Sequence, residues 1–285
     1  MSKTETVPHS EAPIAIQGFE GCFHQVAARQ FFGSQVKVEC CASFRELIKK
    51  ASDKKLTNGG IMAIENSIAG SILPNYNLLQ KSDLKIVGEV YLQIKQQLLV
   101  NPGVALEDIR EVHSHPMALL QCLDFLEQYN WKLVETEDTA LSARHVHQHR
   151  SKHIAAIASK LAGELYGLHI LAPNIHTAKN NYTRFLVLQR KNENDYSENA
   201  NKASISFCTN HTRGSLARVL GKIADAGINL SKLQSFPKPG TDWKYYFHAD
   251  LEFETINDYK KLIPTILPVI DELKIFGVYQ SGKLK

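Results

Sequence analysis

The chain has 285 residues, 44% of them hydrophobic and 22% charged. That composition belongs to globular proteins, and the length sets a prior of two domains, each able to bury a core without disulfides or metal. Lys plus Arg number 33 against 29 for Asp plus Glu, and this small excess is dispersed, so no basic block or basic–aromatic stripe marks a nucleic-acid groove.

In chain order, Ile14–Ile16 predicts a strand, followed by the turn Gly18–Gly21 and a helix to about Phe32. Ile61–Ile64 predicts a buried strand, Leu84–Tyr91 and Ile94–Val100 two more, and Glu111–His113 a short one. Pro116 stands where a first helical turn tolerates proline, and Leu119, Leu120, Leu123 and Leu126 supply an apolar helical face. Trp131–Val134 predicts a strand and Thr139–Val146 a helix; the apolar stretch Ile154–Ile157 and the region near Leu168–Leu171 come next, and Arg184–Leu188 closes this part. Alternation of this kind implies α/β architecture with mainly parallel sheets, whose ligands sit beyond the carboxyl ends of strands.

Residues 190–202 contain almost nothing to bury and read as a linker. Beyond it come a strand (Ala203–Thr209), a helix with Leu216, Val219, Leu220 and Ile223 on one face, stopped by Gly227, and a strand over Ile228–Phe236. Tyr245, Phe247, Ala249, Leu251 and Phe253 alternate with polar neighbours, the pattern of a half-buried strand. A helix through Tyr259, Leu262, Ile263 and Ile266 follows, with Pro264 kinking it or marking its start, and Lys274–Tyr279 is the last strand. The order βαββαβ is that of a ferredoxin-like unit.

Three segments carry chemistry. Glu65-Asn66-Ser67 sets a carboxylate, an amide and a hydroxyl just after a buried strand; the alternative is a helix start capped by Asn66 or Ser67. Ser114-His115-Pro116 offers a hydroxyl that could equally be an N-cap, and Gln121 lies off the apolar face where it could point into a cleft. Asn181-Tyr182-Thr183-Arg184-Phe185 sets a hydroxyl beside a guanidinium, which suits an anionic substrate or a structural ion pair. His145, His149 and His153 fall four apart, as metal ligands or as a solvated helix end. Gly18-x-x-Gly21 lacks the full dinucleotide fingerprint and needs only to serve as an anion-binding turn. Five cysteines (Cys22, Cys40, Cys41, Cys122 and Cys208), odd in number and without CxxC spacing, together with an N-terminus lacking an apolar leader region, set the expectation of a reduced, cytoplasmic protein with no membrane span.

Taken together, Gly18–Ala27, Ala63–Gly70, Ser114–Cys122, Thr139-Ala140, Ala155–Ala158 and Asn181-x-Thr183-Arg184-Phe185 resemble the prephenate dehydratase family, and the C-terminal part resembles an ACT regulatory domain. The resemblance implies a catalytic domain over residues 13–190, made of two α/β lobes around a cleft like periplasmic binding proteins. It implies a linker over 191–202 and a regulatory domain over 203–280. It implies conversion of prephenate to phenylpyruvate, CO2 and water, without metal or organic cofactor, by a homodimer or homotetramer. It further implies Thr183 as the donor at the departing hydroxyl, with Asn66, Ser114 and Gln121 orienting the substrate and Glu65 tuning the site. Gly21, Cys22, Phe23, Ser67 and Arg184 would bind substrate. The chain departs from the family pattern at Cys22 and His24, where hydroxyl residues are common, at Ala63 for proline, and at Met117 for glutamine.

The ACT resemblance implies L-phenylalanine as an allosteric ligand, held by Arg213, Gly214, Ser215 and Leu216 and by Gln234, Ser235, Phe236 and Pro237. The second segment usually reads Glu-Ser-Arg-Pro, so this chain lacks the carboxylate for an ammonium group and the arginine fork. Competing readings are an arogenate dehydratase, with the same chemistry on the amino analogue, a sensor with a binding-protein cleft but no turnover, and a nucleic-acid-binding regulator.

Overall fold

The structure, a computed structural model, describes residues 12–191, 197–210, 212–238, 240–241 and 244–282. The expected leaderless N-terminus and the middle of the expected linker, 192–196, lie outside the described residues. The described residues divide into two compact units: one comprises 12–78 with Val90–Phe185, the other Leu79–Glu89 with the described residues from Leu186 to Gly282.

The first lobe is built from β1 (Ile14–Gln17), α1 (Phe23–Phe32), β2 (Val38–Cys41), α2 (Phe44–Ser52), β3 (Gly60–Asn66), β4 (Gly70–Ser71), α3 (Leu73–Gln80) and β5 (Lys85–Gln93). Buried Leu47 and Ala51 seat α2, and its start is fixed by an N-cap that the sequence also carries: Ser43 Oγ accepts from the Glu46 N–H at 3.2 Å, and Glu46 accepts from the Ala42 N–H at 2.8 Å. In the sheet, β1 lies between β2 and β3 and is parallel to both, and the order β2-β1-β3-β11-β5 is completed by the strand returning from the second lobe.

That second lobe contains β6 (Gln97–Val100), β7 (Glu111–Ser114), α4 (Pro116–Leu120), α5 (Leu123–Leu126), β8 (Lys132–Glu135), α6 (Thr139–Gln148), β9 (Ile154–Ala158), α7 (Lys160–Tyr166) and β10 (His169–Ala172), before β11 (Tyr182–Gln189). The strand order is β10-β6-β9-β7-β8. This sheet is mixed rather than mainly parallel: β7 is parallel to β8 and β9, whereas β6 is antiparallel to β9 and β10. The reason is topological, since β6 brings the chain in from the first lobe and β10 leads it back. The helix expected after Pro116 breaks at Gln121–Cys122, which turns Leu120 out to 58% exposure while Leu119 and Leu126 stay in the core.

In the second unit, β12 (Lys202–Cys208), α8 (Ser215–Asp225), β13 (Asn229–Pro237), β14 (Tyr245–Glu252), α9 (Ile256–Ile266) and β15 (Glu272–Tyr279) follow in the order βαββαβ. The sheet is antiparallel, ordered β13-β14-β12-β15, with Ile205, Phe207, Val219, Ile223, Ala249, Leu251 and Leu262 in its core. Pro264 lies inside α9.

Two expectations fail here for one physical reason. Lys202, placed in the linker by composition, opens β12 almost wholly buried, and β14 is not half-buried, because His248 and Asp250 on its polar face are buried too. Leu79–Glu89 accounts for both. Glu89 meets Lys202 Nζ at 3.1 Å, Lys85 Nζ donates to the Ile275 carbonyl at 2.8 Å, and Lys274 Nζ donates to the carbonyls of Gln80 and Ser82 at 2.6 and 2.8 Å. Gly277 permits this approach, since a Cβ there would collide with the Ile86 carbonyl. Among the described residues no helix is long and apolar enough to cross a membrane.

Candidate active site

Glu65 and Asn66 are the last residues of β3, and β4 pairs back onto them (Glu65 with Ser71, Asn66 with Gly70), so the segment is a hairpin and neither Asn66 nor Ser67 caps a helix. The amide of Asn66 is fixed at both ends. Its Oδ1 accepts from the N–H groups of Ile68 and Ala69, both at 2.9 Å, which leaves Nδ2 to face β11. There Nδ2 donates to Asn181 Oδ1 at 2.7 Å, Thr183 Oγ1 at 3.0 Å and the Tyr182 carbonyl at 3.1 Å. Ser67 locks the pair of strands: its N–H donates to the Tyr182 carbonyl at 2.8 Å, its Oγ accepts from the Tyr182 N–H at 2.9 Å and donates to the Asn180 carbonyl at 3.1 Å. Arg184, on the opposite side of β11 from Thr183, is 4% exposed; it meets Glu65 Oε1 at 3.2 Å and lies 5.9 Å over the Tyr91 ring.

Ser114 and Gln121 form a second group. Ser114 is fully buried at the end of β7 and its Oγ donates to the Ile157 carbonyl at 2.6 Å. The N-cap of α4 is His115, whose Nδ1 accepts from the Met117 N–H at 3.2 Å, so Ser114 is not the cap. Gln121 Oε1 accepts from Gln96 Nε2 at 3.4 Å. The segment 177–181 ties the two groups together: the Thr177 N–H donates to the Gln121 carbonyl at 2.8 Å, and Asn180 and Asn181 hold Ser67 and Asn66.

The turn Gly18–Phe23 supplies the third side. At Gly21, φ is +91° and a Cβ would lie 2.8 Å from Ala162 Cα of α7, so only glycine lets the turn approach the second lobe. Ser159 Oγ donates to the Gly21 carbonyl at 2.5 Å and the Tyr166 hydroxyl to the Glu20 carbonyl at 2.8 Å. Two of the N–H groups expected to face an anion are engaged within the turn: Gly21 N–H with Gln25 Oε1 at 2.6 Å, Cys22 N–H with the Phe19 carbonyl at 3.0 Å. Burial, and then the charge of Asp138, push the Cys22 thiol far above its ordinary value. Burial draws His24 down to about 3, which fits its ring nitrogen Nε2 accepting from the Ala63 N–H at 3.3 Å.

Several residues given no role by the sequence prove to belong to the site. Asn181 is 1% exposed with Nδ2 unpartnered among the described residues, as is Gln96 Oε1. Asp138 caps α6 through Leu141 and reaches Gly18, where a Cβ would lie 2.8 Å from its Oδ2; desolvation raises its carboxyl. The signal for Asp138 was present, since an acid before Thr139 is an N-cap pattern, but its closeness to Gly18 is tertiary. In the histidine series, α6 ends at Gln148, so His153 is off the helix, and among the described residues no three metal-ligating side chains gather.

The profile of the family described as prephenate dehydratase matches residues 14–193. The chain belongs to the prephenate dehydratase family. It is 32% identical over 279 residues to the bifunctional chorismate mutase/prephenate dehydratase of Escherichia coli (strain K12), covering 96% of this chain and 72% of that one. It is 39% identical to arogenate dehydratase/prephenate dehydratase 1, chloroplastic, of Arabidopsis thaliana, over 80% of this chain and 58% of that one. Among solved structures, GqqA, described as a novel type of quorum quenching acylase, is 30% identical with a TM-score of 0.86, covering 94% of this chain and 98% of that one. The prephenate dehydratase of Arthrobacter aurescens in complex with L-Phe shares the fold at 22% identity, with a TM-score of 0.83 over 94% of this chain and 90% of that one.

Proposed function

We propose that the chain is a prephenate dehydratase whose hydroxyl-directed donor is Thr183, and the single observation that carries this is the Asn66–Thr183 contact. Thr183 Oγ1 accepts a hydrogen bond from Asn66, so its own proton is free to point at the substrate's departing hydroxyl. In the reaction the bond from the ring to its carboxylate breaks and its electron pair enters the ring. The C–OH bond breaks at the opposite carbon, and the hydroxide leaves as water after gaining a proton. Aromatisation supplies the drive, so the protein's task is to position the substrate and to stabilise the leaving oxygen, a contribution of roughly 10²–10⁴-fold. Asn66 acts through Thr183, Gln121 and Ser114 shape the other wall, and Glu65 with Arg184 holds β3 against β11. Gly21, Cys22, Phe23 and Ser67 line the substrate. No metal or organic cofactor is needed.

An acyl-transfer reading, suggested by the similarity to GqqA, would need an activated nucleophile. Ser114 and Ser159 donate to carbonyls and the Cys22 thiol is held protonated, which supports dehydration instead.

The remaining assignments belong to the same proposal: residues 13–190 as the catalytic domain, a linker from 191 that ends before Lys202, and an ACT domain through 280, in a cytoplasmic homodimer or homotetramer inhibited by L-phenylalanine. The βαββαβ order supports the ACT assignment. Gly214, with φ at +75°, is the N-cap of α8, and Gln234–Pro237 lie on β13, an edge strand of its sheet. The test is phenylpyruvate formation by the purified chain from prephenate, with arogenate and an acyl-homoserine lactone in parallel, each with and without L-phenylalanine. Rapid, metal-independent turnover of prephenate that phenylalanine slows supports the whole reading. Turnover of arogenate alone, or of the lactone alone, replaces it.

A further inference from the structure

A dianionic substrate raises a question that the site residues leave open. Asn66, Asn181, Thr183, Ser114 and Gln121 are all neutral, and Arg184, the one cation expected to bind substrate, is buried against Glu65. The charge has to be matched elsewhere, and one cavity in the first unit offers unmatched cations. It has a volume of about 660 Å³ and joins the two lobes: Phe23, Val26 and Arg29 of α1 line one side, Gln93, Lys95 and Gln97 the segment that crosses between lobes, and Ser159, Leu161, Asn174 and the carboxylate of Glu164 the other. The volume is that of a small-molecule site.

Two of its cations have no acidic partner among the described residues. Arg29 Nε is buried and lacks any hydrogen-bond partner there, which is costly unless a ligand supplies one. Lys95 is exposed and its ammonium makes no ion pair or hydrogen bond among them. The third cation, Lys160, is 3.6 Å from Glu164. The polar lining is also arranged in advance. Gln97 and Asn174 bond reciprocally, with the Asn174 N–H on Gln97 Oε1 at 3.1 Å and Gln97 Nε2 on Asn174 Oδ1 at 3.4 Å, and Asn174 is held at a φ of +54° that few non-glycine residues adopt.

No member of the Asn66–Thr183 cluster lines the cavity, and three contacts link the two through neighbouring residues. His24, next to Phe23, packs its ring on Phe185, 5.0 Å between centroids and two residues past Thr183. Gln93 Nε2 donates to the Lys179 carbonyl at 2.7 Å, beside the Asn180 that holds Ser67. Ser159 holds the Gly21 carbonyl.

We propose that this cavity receives a carboxylate of the substrate, with Arg29 and Lys95 as its counter-charges and Phe23, Val26 and Leu161 against the apolar part of the molecule. The inference rests on the dehydratase reading for its substrate, and on the cavity alone for its chemistry.

The experiment uses the full chain and four variants: Arg29→Gln, Arg29→Lys, Lys95→Gln and the double glutamine variant. With prephenate, Arg29→Gln raises KM roughly tenfold or more with kcat within about threefold, Lys95→Gln raises it less, and Arg29→Lys recovers part of the loss. Circular dichroism separates these effects from unfolding, and Lys95→Gln, at an exposed position, keeps the test intact if Arg29→Gln does not fold. An unchanged KM in a folded double variant overturns the proposal, and so does a fall in kcat alone. Calorimetric titration with phenylpyruvate reads the cavity independently of turnover. If the wild-type chain fails to turn over prephenate, binding of phenylpyruvate that is lost in the double variant still supports the carboxylate cavity. Equal binding by wild type and double variant, or none by wild type, overturns it.

Discussion

Two regions of this molecule bury polar groups in opposite ways. On the Thr183 side of β11, around Asn66, the groups are neutral amides and hydroxyls, each oriented by its neighbours, and one Asn66 amide serves Asn181, Thr183 and Tyr182 together, while the Arg184–Glu65 pair lies on the other side. In the second unit the buried groups are charged. Lys202 and Glu89 are 2% and 0% exposed at their side chains, and Asp250 accepts from Ser204 at 2.5 Å while Ser204 also meets the Tyr279 hydroxyl at 2.8 Å. A charged network satisfies itself and becomes structure. A neutral cluster with one hydroxyl proton left over can give that proton's hydrogen bond to something else. The difference separates a scaffold from a site.

The sharpest way to break this comparison is at Thr183. Thr183→Ala is expected to lower kcat by roughly 10²–10⁴-fold while changing stability by no more than about 1 kcal/mol, read by steady-state turnover and urea melts of the same preparation. A variant that melts early, or one that turns over normally, places Thr183 in the scaffold instead.

The converse holds for Lys202. Lys202→Met removes the ammonium that faces the buried Glu89 carboxylate and is expected to cost about 3–5 kcal/mol, whereas adding Glu89→Leu restores much of it. Thermal melts of both variants check this, and a mild single variant would show that the pair is dispensable.

His24 sharpens the comparison from the neutral side. Its folded pKa of about 3 lies below the ordinary histidine value of about 6.5, so the native state keeps it uncharged. Its stability contribution is complete above the unfolded pKa. As pH falls from about 6.5 toward 3, the unfolded chain takes up a proton that the folded chain refuses, and stability drops by up to about 1.4 kcal/mol per pH unit. Urea midpoints measured from pH 7.5 to 4 should decline less steeply in His24→Gln; parallel slopes would assign the acid sensitivity to other groups.

The smallest effect is a control distant from both regions. Ser43→Ala removes the cap of α2 and is expected to cost about 1 kcal/mol with kcat and KM unchanged.

Much of the architecture was legible because periodicity and punctuation are local. The strand–turn–helix at Ile14–Phe32, the helix bearing Val219 and Ile223, and the βαββαβ order all follow from spacing that any short window contains. The Ser43 cap of α2 is equally local. The motif residues were legible too, as residue types just beyond strands. What no window contains is which of them meet. Asn66 and Thr183 are 117 residues apart, and only the pairing of β3 beside β11 brings the amide onto the hydroxyl. The same long-range closure turned Arg184 to Glu65, made Lys202 a core residue rather than part of a linker, and left Arg29 facing a cavity between lobes. The sequence by itself determined the elements, the family and the candidate chemistry, because those depend on residue identity and near neighbours. Tertiary structure alone decided which polar groups are spent on each other and which remain for a ligand, because a hydrogen bond or ion pair is settled by distance in space.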